Sequence, residues 1–161
     1  MAEVPHDTFA DRRETAVAGQ PVVDPADWTA TEIAATDDWC YRLDRREIDE
    51  LHAAASPHDR KGLDLMALGR DAFDLPQLAP VLSDLRHKLL YGRGFALLRG
   101  LPVDEFGKCA TAIAFWAIGQ YLGDDVLSQN KHGHVLGHVT DIGESRSNPS
   151  QRGPYSREEI P

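Results

Sequence analysis

The sequence predicts a mixed α/β (α+β) architecture, and three observations predict it. The run Gly94-Phe95-Ala96-Leu97-Leu98-Arg99-Gly100 holds apolar residues between two glycines and ends in a cation, which is the length and composition of a strand buried on both faces. Apolar residues at helical spacing flank it on either side, Leu75, Leu78, Leu82, Leu85 and Leu89 before it and Phe106, Ala110, Ile113, Ala117 and Tyr121 after it. The order strand, helix, helix, strand, helix, strand follows from the whole chain, with no internal repeat or low-complexity segment.

Bulk properties set the outer bounds. A chain of 161 residues, 42% of them hydrophobic, suits one domain with a real core. Its formal net charge of −9 argues against nucleic acid or an anionic membrane as partner, since both are recognised by clustered cations. A small-molecule ligand fits better, and a homo-oligomer is compatible with the sequence. Cys40 and Cys109 lie far apart within apolar patterns and read as buried, reduced thiols. The first 19 residues carry Asp7, Asp11, Arg12, Arg13 and Glu14 without an apolar signal region, and no segment approaches a membrane span of ~18 apolar residues. The expected location is cytoplasmic.

Residues 1–27 are polar, interrupted by Pro5, Gly19, Pro21 and Pro25, and read as a tail or an arm laid over the domain, with Trp28 as its first anchor. Residues 39–43 form a short strand. Asp44-Arg45-Arg46-Glu47 has the pattern of a capping box, opening a helix that buries Ile48, Leu51 and Ala55 and stops at Pro57. His52 and His58 read as surface residues near the helix end. From Asp59 to Asp74 a loop is expected, with one helical turn around Leu65–Leu68. The leucine-spaced helix follows, Pro76 standing in its first turn and Arg86 and Lys88 near its negative end. It feeds the Gly94–Gly100 strand through Tyr91-Gly92-Arg93-Gly94.

Leu101-Pro102 ends that strand, Asp104 is the expected N-cap of the next helix, and Gly123 its C-cap near Leu122. The middle of this helix, Ala112 to Ile118, is apolar all round. It should therefore pack on the sheet with one face and under other structure with the opposite face. A polar loop, Ser128 to Gly133, then leads to a second strand over 134–141. From Ile142 to Pro161 no apolar period remains.

Several groups could carry chemistry. His134 and His138 share a strand face, with His132 just upstream; they read either as pocket-lining histidines or as a three-histidine metal site that lacks a carboxylate. Gly92-x-Gly94 precedes a strand instead of joining a strand to a helix, so it is no phosphate loop. Asp141, Glu144, Glu158 and Glu159 have no nucleophile beside them and read as solvated carboxylates. Gln129 and Asn130 are candidate substrate-binding residues, because two amides beside a strand entrance can orient a polar small molecule; a polar turn is the alternative.

The segment Gly92 to Val103, the helix end Ile118-Gly119-Gln120-Tyr121-Leu122-Gly123, the pair Gln129-Asn130 and Val139-Thr140-Asp141-Ile142-Gly143 together resemble the N-terminal part of a taurine dioxygenase-like (TauD/TfdA) protein. The resemblance spans residues 28–161. It implies a double-stranded β-helix, or jelly-roll, scaffold and a dioxygenase dependent on Fe(II) and 2-oxoglutarate. It further implies iron held by a His-x-Asp pair and a distant histidine, with an arginine for 2-oxoglutarate. No His-x-Asp or His-x-Glu is present, and Tyr155 to Pro161 is similar to the run that precedes that pair, so the chain is expected to stop short of its metal ligands and to be inactive alone. No catalytic, metal or cofactor residue is carried over. Gln129 and Asn130 fall on the loop that lines the family's substrate pocket. The leading expectation is an N-terminal fragment of such a dioxygenase, hydroxylating a small anionic substrate. The alternative is a non-catalytic scaffold or interaction module that retains part of the fold; a small histidine metal-binding protein is a third.

Overall fold

The computed structural model describes residues 17–60, 62–123 and 135–137. The chain divides into two compact units, Met1–Asp124 and Asp125–Pro161, and the elements below belong to the first.

Among the described residues helix α1 (Ala30–Ala34) is the first regular element, followed by β1 (Cys40–Arg42), α2 (Arg45–Ala55), α3 (Leu78–Tyr91), β2 (Leu97–Arg99) and α4 (Val103–Leu122). Short 3-10 turns at Ser56–His58, Leu65–Ala67 and Arg70–Ala72 lie between α2 and α3. The class is mixed α/β, with one small two-stranded sheet among the described residues. β1 and β2 run parallel, with Cys40 opposite Leu97, Tyr41 opposite Leu98 and Arg42 opposite Arg99. The parallel pairing needs a crossover, which α2 and α3 supply.

Helix starts follow local capping chemistry. The Asp44 carboxylate accepts from the Glu47 amide at 2.9 Å while the Glu47 carboxylate accepts from the Asp44 amide at 2.8 Å, the reciprocal box expected from the sequence. Thr29 and Glu32 form a second box at α1. The α3 start is capped from another helix, since the Glu50 carboxylate accepts from the Gln77 and Leu78 amides at 2.8 and 2.9 Å. This satisfies two donors that a helix start leaves open. Leu75 and Pro76 therefore precede the helix, and Pro76 is not in its first turn as expected.

Helix α4 departs from expectation at its start. Pro102 is the N-cap and makes no side-chain cap, so Asp104 lies inside the first turn beside Glu105, where both carboxylates face the positive end of the dipole. Gly107, at φ 72° and ψ 172°, interrupts the helix one turn later, a conformation that an L side chain rarely tolerates. Gly123 caps the end as expected.

The core is made by α2, α3 and α4. Leu51 and Ala55 of α2, Leu78, Leu82 and Leu85 of α3, and Phe106, Ala110, Ile113, Ala114, Trp116, Ala117 and Ile118 of α4 are buried, with Leu43, Leu68, Phe73 and Leu75 completing the layer. Two polar handles fasten the loop before α3: Trp116 Nε1 donates to the Leu68 carbonyl at 2.8 Å, and the Tyr121 hydroxyl donates to the Phe73 carbonyl at 2.7 Å. Arg70 stacks 4.4 Å above the Tyr121 ring.

Helix α4 thus packs chiefly on helices and not on the sheet. Strands of three residues span about 10 Å, whereas a helix of this length spans about 30 Å, so the sheet offers too little surface to cover it. Its apolar girdle is also not buried all round, because Phe115 is 59% exposed. Nor is β2 buried on both faces: Leu97 is 39% exposed and, among the described residues, β1 is its one partner. Of the strand expected over 134–141, the described residues Val135–Gly137 form a bend. Cys109 is exposed instead of buried, and Cys40 is half-buried; both are free thiols. The Cys109 thiol is pushed up by its hydrogen bond to Asp59 and, less, by burial, which makes it a poorer nucleophile.

Ile113 is 1% exposed, so Ile113→Ala should cost about 2–5 kcal/mol through the cavity it leaves. Phe115→Ala should stay within roughly 0.5 kcal/mol of the parent, as exposed substitutions do. Urea denaturation of the two variants checks the contrast.

Candidate functional site

A cleft of about 260 Å³ opens where the N-terminal segment crosses the α3–β2 connection, lined by Pro25, Asp38, Trp39, Lys88, Gly92, Arg93, Phe95 and Ala96. Its apolar wall grows from the sequence around Gly94-Phe95. Phe95 sits between two tryptophans, Trp28 at 5.0 Å edge-on and Trp39 at 6.0 Å. Trp28 is the anchor expected of it: its Nε1 donates to the Arg93 carbonyl at 3.0 Å. Trp39 Nε1 donates to the Thr36 carbonyl at 2.8 Å, which ties the ring to the end of α1. Gly94 has φ +83°, and a Cβ there would lie 3.7 Å from the Ala26 methyl; the turn therefore brings the N-terminal segment close while reversing the chain into β2.

The polar wall is cationic but committed. Arg93 grips Asp38 bidentately, Nη1 to Oδ1 at 2.8 Å and Nη2 to Oδ2 at 3.0 Å, the geometry in which guanidinium and carboxylate match best. The Asp38 carboxyl is held below its ordinary range by the Thr36 hydroxyl first and by Arg93 second. Lys88 pairs with Asp84 at 2.7 Å on the same helix face. The cleft thus fastens one segment to another and leaves its charges paired. Sequence reading named Trp28 but missed the Asp38–Arg93 grip, because 55 residues separate the partners and no local pattern links them.

A second polar centre is structural. The Glu47 carboxylate, 5% exposed, accepts from the Tyr41 hydroxyl at 2.6 Å as well as from the Asp44 amide. That hydrogen bond first, then burial and the negative charges of Glu47 and Asp44, pushes the Tyr41 phenol up to about 12.

The predicted site residues fall outside the described part. Gln129 and Asn130 lie outside the described residues, as do His132, His134, His138, Asp141, Glu144, Glu158 and Glu159. His52 is exposed and packs edge-on against Phe106 at 4.9 Å. His58 is half-buried, its Nε2 3.2 Å from the Ala72 carbonyl; both serve packing. Among the described residues no three His, Cys, Asp or Glu side chains converge to hold a metal ion. No helix among them is long and apolar enough to cross a membrane.

Comparison with known proteins supplies what this geometry does not. No family model matches the chain. It is 28% identical over 143 residues to the FR-33289 synthase of Streptomyces rubellomurinus, covering 88% of this chain and 42% of that protein. It is 27% identical over 140 residues to the taurine hydroxylase-like protein SAT17 of Stachybotrys chartarum, covering 87% of this chain and 36% of that protein. The chain resembles taurine dioxygenase-like proteins. It spans less than half the length of these two relatives. The resemblance seen in the ordered matches from Gly92 to Gly143 is therefore matched by relatives aligned over most of the chain.

The Tyr41 pair sets an alkaline prediction. A phenol whose folded pKa is raised stabilises fully below its unfolded value of about 10, and that stability is lost as pH rises through about 12. Tyr41→Phe should cost roughly 1–3 kcal/mol at neutral pH, because a buried carboxylate loses a donor. It should also remove the ultraviolet ionisation step near pH 12, as spectrophotometric titration of parent and variant would read.

Proposed function

We propose that the chain is the N-terminal part of an Fe(II)- and 2-oxoglutarate-dependent dioxygenase of the taurine dioxygenase-like type, acting in the cytoplasm on a small, anionic substrate. The observation that carries this reading is the similarity, over 87% of the chain, to a taurine hydroxylase-like protein. That protein's name points to taurine, a zwitterion whose sulfonate is anionic, which supports a substrate that carries an anionic group. In this reading residues 28–161 are part of a jelly-roll domain, residues 1–27 are a tail or an arm, and Gln129 and Asn130 contact substrate.

The described residues do not fit an iron site, since no metal-ligating trio exists among them; a non-haem iron centre of this class needs two histidines and a carboxylate on one face. What these residues contribute is scaffold: α2, α3 and α4 form a packed platform, and β1 and β2 carry the chain from it.

The test compares the 161-residue chain with the product of the whole reading frame that encodes it. Anaerobic calorimetric titration with iron(II), with and without 2-oxoglutarate, and a succinate-release assay should show no stoichiometric iron binding and no turnover in the short chain. Both should appear in a product carrying a His-x-Asp or His-x-Glu pair. Stoichiometric binding by the short chain would relocate the metal to its own residues, and a complete product that releases no succinate with iron and a panel of small sulfonates and carboxylates would overturn the dioxygenase reading.

A further inference from the structure

The small sheet has one covered face and one open face. Side chains alternate along a strand, and the Tyr41 hydroxyl donates to Glu47 of α2 at 2.6 Å, so the face that carries Tyr41, with Leu98 opposite it, looks toward that helix. Cys40, Arg42, Leu97 and Arg99 occupy the other face. There the parallel register sets Arg42 directly opposite Arg99 and Cys40 opposite Leu97, on strands about 5 Å apart. Both arginines are exposed, and Leu97 is 39% exposed.

Like charges directly opposite one another across a strand pair repel. Neither guanidinium has a carboxylate, hydrogen-bond or ring partner among the described residues, whereas Arg45, Lys88 and Arg93 each take a carboxylate. The stem of Arg42 is also placed. Its Cγ lies 3.7 Å from where a Cβ on Gly100 would stand, so the glycine that follows β2 leaves that stem room beside Arg99. In a chain of net charge −9, two neighbouring guanidiniums are a local reversal of sign that no contact among the described residues explains.

We infer that Arg42 and Arg99 form a binding site for a doubly charged oxyanion, a phosphate group, with Leu97 taking the apolar part of a phosphate ester. A guanidinium presents its N–H donors as a fork that matches the oxygens of such an anion in pairs. Two cations balance two negative charges, whereas a single carboxylate would leave one cation in excess. Leu97 stands two residues before Arg99 on the same face, about 7 Å away, within reach of a short alkyl or aryl ester. The inference rests on the register of β1 and β2 and stands apart from the dioxygenase reading.

Carbon-detected arginine side-chain spectra of the isotope-labelled 161-residue chain test it, in titrations with inorganic phosphate, phenyl phosphate and acetate at low ionic strength and about pH 8, where phosphate is mostly dianionic. The Arg42 and Arg99 resonances should shift together on one saturable isotherm while Arg60 and Arg93 stay in place. Phenyl phosphate should bind several-fold tighter than inorganic phosphate, and acetate about tenfold weaker or less tightly still. Arg42→Gln and Arg99→Gln should each weaken phosphate binding by about tenfold or more and remove the response of the remaining arginine. Leu97→Ala should abolish the preference for the phenyl ester and leave inorganic phosphate unchanged. A uniform shift of all four arginines, which is general screening, would overturn the site, as would either glutamine variant binding like the parent. Acetate binding as tightly as phosphate would overturn the dianion class, and a phenyl preference that survives Leu97→Ala would overturn the ester assignment. The parent titration decides the pairwise response by itself should a variant not fold.

Discussion

Burial of α4 against α2 and α3 is the contact on which the rest of the described unit depends. Ile113, Ala114, Trp116 and Ala117 lie on successive turns and are nearly or wholly removed from water, and burying large apolar side chains is the main favourable term in folding. Trp116 does more than fill volume. Its indole donates to the Leu68 carbonyl, so the loop before α3, which has little regular structure of its own, is pinned by the same side chain that anchors the helix. Tyr121 repeats the device one turn further on, at Phe73. Apolar burial and the satisfaction of loop carbonyls are thereby combined in single residues.

Around that platform, electrostatics mostly places chain segments. Glu50 caps α3 from α2, Glu47 closes its own helix and receives Tyr41 from β1, and Asp38 holds Arg93. Each acid joins two elements. The acids engaged in this way belong to the excess that gives the chain its charge of −9, so a negative balance does not by itself mean a repulsive surface.

The function is read from relatives more than from the described geometry. An FR-33289 synthase and a taurine hydroxylase-like protein are similar along most of the chain, whereas the described cleft has its cations paired and the described residues form no metal trio. Folds carry sites without themselves being chemistry, so this geometry by itself names no reaction.

By itself the sequence determined the helices, because their signals are local. The Asp44–Glu47 box, the leucine spacing before Tyr91, the apolar spacing from Phe106 to Tyr121 and the stop at Gly123 all act within a few residues, and α2, α3 and α4 formed over these stretches, with the starts of α3 and α4 shifted and the short α1 unforeseen. It also placed the resemblance, through the order of short matches from Gly92 onward. Only the tertiary structure decided what α4 packs against, that β2 is half-exposed, that Glu50 and not an Asp or Ser of its own caps α3, and that Trp28, Asp38 and Arg93 converge. These depend on contacts between residues far apart in the chain, for which no periodicity exists. Phe115 and Leu97 show the limit plainly: an apolar pattern states which residues prefer burial, but the size and direction of the neighbouring surface decide which of them obtain it.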